Sequence, residues 1–212
     1  VKEAQWRAPD MKAPGWAVEG RVESWKTWKG EDIPDHAAVI CRNNAPLFAM
    51  AVSLLLAGKR PTVAGNDVVM SLIKILEKWK PRTKAWPTQE EVLAKIDKWE
   101  TQNAAKVKRK GPVKDKAECL RIFAMQGRDL REIIEYSKAF ISMHGTIQLM
   151  TGHKAKGLEF DNVFFLDQEL VSDKDQDPNL RYVIQTRAKE NLTYISTDLM
   201  LENQEREADD KL

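Results

Sequence analysis

Cysteine is scarce in this 212-residue chain, with only Cys41 and Cys119. The two are far apart and stand in no paired metal-ligand spacing, which argues against a zinc site. They read as reduced thiols, as expected of a cytoplasmic protein. Long apolar runs are missing as well. None reaches the roughly 18 residues that a membrane span needs, and the opening VKEAQWRAPD has no apolar signal core, so no membrane partner is expected. A charge excess of one sign is also absent: the formal net charge is +2 although 31% of residues are charged. Any surface for an anionic partner must therefore be local. Finally, no Gly-x-x-x-x-Gly-Lys-Ser/Thr loop occurs. AGKR, Ala57 to Arg60, ends a helical pattern and lacks the upstream glycine, so the chain has no phosphate cradle of its own. It also lacks an Asp-Glu pair after a strand that would hold Mg²⁺.

What is present is a globular composition, 42% apolar, enough for a real core. Three zones differ in period. In residues 1–65 a short buried run, AAVIC (Ala37 to Cys41), precedes the helical pattern NNAPLFAMAVSLLLAG. Asn44 suits its cap, Pro46 its first turn and Gly58 its end. RPTVAG then reads as a second strand, which completes the βαβ grammar of a parallel sheet. Residues 66–144 switch to helical spacing. Val68, Val69, Leu72, Ile73, Leu76 and Trp79 form one helix. Thr88 and Glu91 form a capping box for a second, with Val92, Ile96 and Trp99 on one face. Further helices are expected at about 115–126 and 129–140, after a basic connector from Lys106 to Lys116. Residues 145–212 return to strands, TIQLM, NVFFL and NLTYIS, with a helix in PNLRYVIQTRAKE between the last two. The polar tail from Asp198 is expected to fray or leave as a helix. The chain thus reads as one α/β parallel-sheet domain interrupted by an all-helical insertion. In such sheets ligand chemistry gathers at the carboxyl ends of strands.

Three clusters carry chemistry. In TGHKAKGLEF, directly after TIQLM, Thr151 and backbone N–H groups near Gly152 can hold a phosphate. Lys156 suits a polyphosphate, His153 a nucleic-acid phosphate or base, and Glu159 a ribose hydroxyl. Composition alone also accommodates a solvated loop turned by Gly157. Arg187, at the end of a helix carrying Tyr182, Val183 and Ile184 on its apolar side, can reach across a cleft as a bidentate phosphate ligand. It can equally be a helix-end Arg favoured by the macrodipole. Arg42 and Asn43 leave a buried strand where they can touch a nucleic-acid backbone, or Asn43 and Asn44 simply make the loop and cap.

In order and spacing, the three clusters together resemble the second motor domain of UvrD/Rep-like superfamily 1 DNA helicases. AVICRNNAPLFAMAVSLLLAGKRPTVAGN is similar to that family's strand-Arg-x-Asn-Ala segment. LMTGHKAKGLEFDNVFFLD is similar to its Thr-x-His-x-x-Lys-Gly-Leu-Glu motif, and YVIQTRAKENLTYIS to its Tyr-Val-x-x-Thr-Arg-Ala motif. These stretches hold 63 of the 212 residues. The resemblance implies a RecA-like sheet without the P-loop, divided as 2A (1–65), a reduced 2B-like insertion (66–144) and 2A again (145–212). It implies that Arg187 is the arginine finger and that Lys156, Gly157 and Glu159 line the nucleotide edge. Arg42, Asn43, Thr151 and His153 would touch single-stranded DNA. The polar crowd around Gly157 would then serve nucleotide on one side and DNA on the other. ATP with Mg²⁺ would be bound mainly by an N-terminal motor domain, the implied partner along with single-stranded DNA and a duplex junction. The chain alone would not hydrolyse ATP. The Lys-Gly-Leu-Glu spelling resembles the 3′→5′ branch, with DNA repair or replication as the setting.

Two departures stand out. Ahead of Tyr182 the family's acidic-Arg-Arg-Leu pattern is replaced by Asp177-Pro178-Asn179-Leu180. The helical zone, about 80 residues, is shorter than the usual insertion, although Lys106, Lys108, Arg109 and Lys110 offer phosphate contacts. The tryptophans read as core or edge packing before base stackers, with Trp25 and Trp28 the ones to test for stacking. The competing readings are a stand-alone nucleic-acid-binding or regulatory module without ATPase activity and, last, the helicase part of a helicase–nuclease.

Overall fold

A computed structural model describes residues 19–82, 85–171 and 177–200. The strands are β1 (Arg21–Ser24), β2 (Ala38–Cys41), β3 (Pro61–Val63), β4 (Ile147–Thr151), β5 (Phe160–Leu166) and β6 (Ala188–Ile195). They form one sheet in the order β1-β6-β5-β2-β4-β3. Every adjacent pair is parallel, as the βαβ grammar of the outer zones predicts. The helices are α1 (Asn44–Leu56), α2 (Asn66–Glu77), α3 (Gln89–Ala104), α4 (Gly111–Ala124), α5 (Leu130–Ile141) and α6 (Asp177–Gln185). The tail beyond residue 200 and the opening VKEAQWRAPD lie outside the described residues.

Strand alternation explains how the sheet is covered. Val39 and Cys41 of β2, Ile147 and Leu149 of β4, and Phe164 and Leu166 of β5 face one side. There they join a core with Leu47 and Phe48 of α1, Leu72 of α2, Val92 of α3, Phe123 of α4 and Phe140 of α5. Phe123 stacks edge-on to Phe140 with centroids 5.1 Å apart, an arrangement that adds to simple burial. The helices of residues 66–144 therefore thicken the same layer that α1 begins. Ala38 and Ile40, Met150, and Val163 and Phe165 face the other way, into a smaller core closed by Ala155 and by Leu180 and Ile184 of α6.

Local signals place most ends. The box of Thr88 and Glu91 forms at α3, and Asp129 accepts from Arg131 and Glu132 to cap α5. Two expectations change. The basic connector is half helix, because α4 starts at Gly111 with Pro112 in its first turn. The cap of α1 comes from neither Asn43 nor Asn44. Asp115 of α4 accepts from the Asn44 backbone at 3.0 Å, from the Asn44 side chain at 2.9 Å and from the Ala45 backbone at 2.9 Å. A carboxylate suits the positive end of the helix, and here it arrives from 71 residues away.

Candidate functional site

At the carboxyl edge, β2 and β4 are neighbours with Cys41 opposite Thr151. The residues leaving them, Arg42 and Asn43 on one side and Thr151, Gly152 and His153 on the other, are brought side by side. The Gly152 N–H donates to the Cys41 carbonyl at 3.0 Å and fastens the two exits together. Arg42, Asn43 and Thr151 are half-buried and His153 is exposed. Burial pushes the Cys41 thiol up to about 12 and raises that of Cys119 too. Neither is a thiolate at neutral pH, so neither is a nucleophile.

The chain then crosses the sheet. β4 ends at the carboxyl edge, β5 begins at the amino edge, and β2 lies between them. The connection from Gly152 to Glu159 must span β2. Eight extended residues reach up to about 28 Å, and the four residues of β2 rise only about 13 Å. The surplus is taken up by turns. Thr151 O accepts from Lys154 N at 2.9 Å and from Ala155 N at 3.0 Å, and Ala155 O accepts from Leu158 N at 3.1 Å. Gly157 has φ +83, a conformation that a Cβ would strain. Ala155 is fully buried against Ala38 and Ile40 and pins the middle.

Helix α6 seals the start of the connection. A Cβ on Gly152 would come within 2.7 Å of Leu180 Cδ1 and 2.8 Å of Ile184 Cγ1, so a larger residue there would have to push these side chains aside. Beside it, Gly152, His153, Lys156, Asn179, Leu180 and Val183 line a groove of about 260 Å³. Lys154 leans to the other side and pairs with Asp67 of α2 at 2.7 Å, which holds the Asp67 carboxyl below its ordinary range.

At the amino edge the connection meets Arg187. The Phe160 N–H donates to the Arg187 carbonyl at 2.9 Å. The guanidinium donates through Nε to Val183 O at 2.8 Å, through Nη1 to Leu158 O at 2.8 Å and through Nη2 to Thr186 Oγ1 at 2.9 Å. Arg187 is thus half-buried at the surface, within reach of the Gly157–Glu159 turn. Glu159 is exposed and precedes β5 directly. Not all candidate residues therefore lie at the carboxyl edge, where the sequence placed the whole run from Thr151 to Glu159. Glu159 and Arg187 precede their strands and sit at amino ends.

Other expectations also move. On α6 the buried pair is Leu180 and Ile184, one turn apart, whereas Tyr182 is 45% exposed. Trp28 is 1% exposed, and its indole N–H donates to Ser196 O at 2.8 Å. It is therefore closed to stacking. Trp25 packs edge-on to Phe164. Among the described residues no group of three or more His, Cys, Asp or Glu is gathered that can hold a metal ion. No helix among them is long and apolar enough to cross a membrane.

Sequence reasoning missed Asp115, which no local pattern near α1 reveals. It also passed over the role of Gly152, whose only signal is a glycine between a strand and charged residues. A family model, the UvrD-like helicase C-terminal domain, matches residues 69–198. No curated protein gives a significant match to the chain.

Proposed function

This chain belongs to the family of UvrD-like helicase C-terminal domains, and from that premise we propose that it supplies one wall of a composite ATP site and part of a single-stranded DNA track. Arg187 acts as the arginine finger, Lys156 and Gly157 face the γ-phosphate, and Glu159 accepts from the ribose. Arg42, Asn43, Thr151 and His153 contact the DNA backbone. The observation that carries this reading is the Gly152–Glu159 connection, which starts between the DNA candidates at one edge and ends under Arg187 at the other.

The rest of the ATP site belongs to an N-terminal motor domain, which holds the phosphates and Mg²⁺. Among the described residues no group of three or more His, Cys, Asp or Glu is gathered for that ion. When water attacks the γ-phosphorus and the bond to the ADP oxygen breaks, Arg187 transfers no proton. It stabilises the charge on the transferring oxygens, the largest kind of contribution available to a fixed cation. ATP draws the two motor domains together and hydrolysis releases them. A different grip on DNA in the two states gives direction, 3′→5′ in this reading. We divide the chain into motor residues 1–65 and 145–212 and a reduced insertion, 66–144, that meets the duplex junction. We place the protein in the cytoplasm, in DNA repair or replication.

The test is ATPase activity of this chain alone and mixed with its ATP-binding motor domain, with and without single-stranded DNA. The chain alone is expected to be inactive and the mixture active and stimulated by DNA. DNA binding with no ATPase in the mixture would replace this reading with a stand-alone binding module.

A further inference from the structure

We infer that Thr186 is the positioning residue for Arg187, setting the direction in which the guanidinium faces before any nucleotide arrives. The inference rests on the reading of Arg187 as a phosphate ligand. A guanidinium carries five N–H groups in one plane. Three are engaged within the domain, by Val183 O, Leu158 O and Thr186 Oγ1. Two remain, one on each Nη. These two N–H groups stay available to phosphoryl oxygens. The anchors therefore leave Arg187 donors for a phosphate while holding its plane.

The three anchors differ in kind. Val183 O lies in the last turn of α6, and Leu158 O belongs to the turn after Gly157. Both are backbone atoms that any residue would supply. Only the third is a side chain. Thr186 Oγ1 is itself oriented, because its hydroxyl proton is directed at Tyr182 O, 2.9 Å away, or at Val183 O, 3.2 Å away. A lone pair is thereby turned toward Arg187. An unanchored Arg loses rotamer entropy when a ligand fixes it. An anchored one has lost most of that beforehand, so its remaining donors are ready where the charge develops. Removing the hydroxyl leaves Nη2 without its acceptor and frees the plane to turn about the two backbone anchors.

The experiment compares Thr186→Val, which keeps the branched shape without the hydroxyl, with Thr186→Ser, which keeps the hydroxyl. Both are made in the helicase assembled from this chain and its ATP-binding motor domain, at saturating single-stranded DNA. Thr186→Val is expected to lower kcat by about 10- to 100-fold with the KM for ATP changed less than about twofold, and Thr186→Ser to restore most of the loss. An unchanged kcat in Thr186→Val overturns the inference, as does an equal loss in Thr186→Ser. Arg187→Ala is measured alongside. If it keeps full turnover, the reading of Arg187 falls and takes this inference with it. If Arg187→Ala loses turnover but Thr186→Val does not, only the positioning role of Thr186 falls. Should thermal melting show that the Val variant does not fold, Thr186→Ala takes its place with the same expected outcomes.

Discussion

The two edges of the sheet offer chemistry by different means. At the carboxyl edge, residues leave their strands into open loop or helix starts. The candidates there, Arg42, Asn43, Thr151 and His153, come from two neighbouring strands fastened by one backbone bond from Gly152 to Cys41. At the amino edge Glu159 and Arg187 stand just before their strands, joined by one backbone bond from Phe160 N–H to the Arg187 carbonyl. Position there comes from side-chain anchoring, chiefly the three bonds that hold the guanidinium. One edge is ordered by strand register and the other by a single well-held cation. The difference teaches that damage should be graded at the first edge and abrupt at the second.

The sharpest break in that comparison is Arg187→Ala. In the assembled helicase, ATPase turnover should fall about 10³- to 10⁵-fold. Affinity for ATP and for single-stranded DNA should change little, as a filter-binding assay would report. Next is Gly152→Ala, which should blur the two edges together. A methyl there meets the side-chain ends of Leu180 and Ile184 and makes them shift within a buried contact, costing about 1–3 kcal/mol. A lowered melting temperature should accompany weaker DNA binding and slower turnover, because α6 also leads into Arg187. His153→Ala should sharpen the comparison instead. Losing one exposed contact at the graded edge should weaken DNA binding only about three- to tenfold, the worth of one hydrogen bond. Fluorescence anisotropy measures this, and the KM for ATP should stay constant.

The smallest effect concerns Asp167, at the end of β5. Its carboxyl accepts from the Thr197 N–H at 2.7 Å and from the Thr197 hydroxyl. Burial nevertheless holds its pKa above the ordinary carboxylate value. The folded state therefore keeps this proton to higher pH than the unfolded chain does. Its contribution to stability is greatest at low pH and declines as pH rises through the raised value. Asp167→Asn should remove that slope while tolerating the left-handed backbone, φ 48. Urea midpoints taken across the acidic range would show it.

The sequence carried the sheet grammar because buried parallel strands must be apolar on both faces, as Val39, Ile40, Phe164 and Phe165 are. It carried the starts of α3 and α5 because Thr88 and Asp129 act within three residues. What it could not carry was distance. Asp115 caps α1 through tertiary packing, and α4 begins four residues before periodicity alone would start it. The apolar side of α6 was misjudged at Tyr182, since an aromatic with a polar tip is at ease in water. The candidate site was readable as a set of residue types. Its division between two edges was passed over, although residues standing directly before a strand, as Glu159 and Arg187 do, lie at the amino end of a parallel sheet.

The Asp115 carboxylate joins the helical layer to the root of Arg42 and Asn43 with bonds to two consecutive residues of α1. Together with the shared core, that clasp makes residues 66–144 a buttress rather than a hinged arm. Excising or swinging this segment would uncap α1 and unsettle the strand exit behind the proposed DNA track, so its orientation against α1 should stay constant.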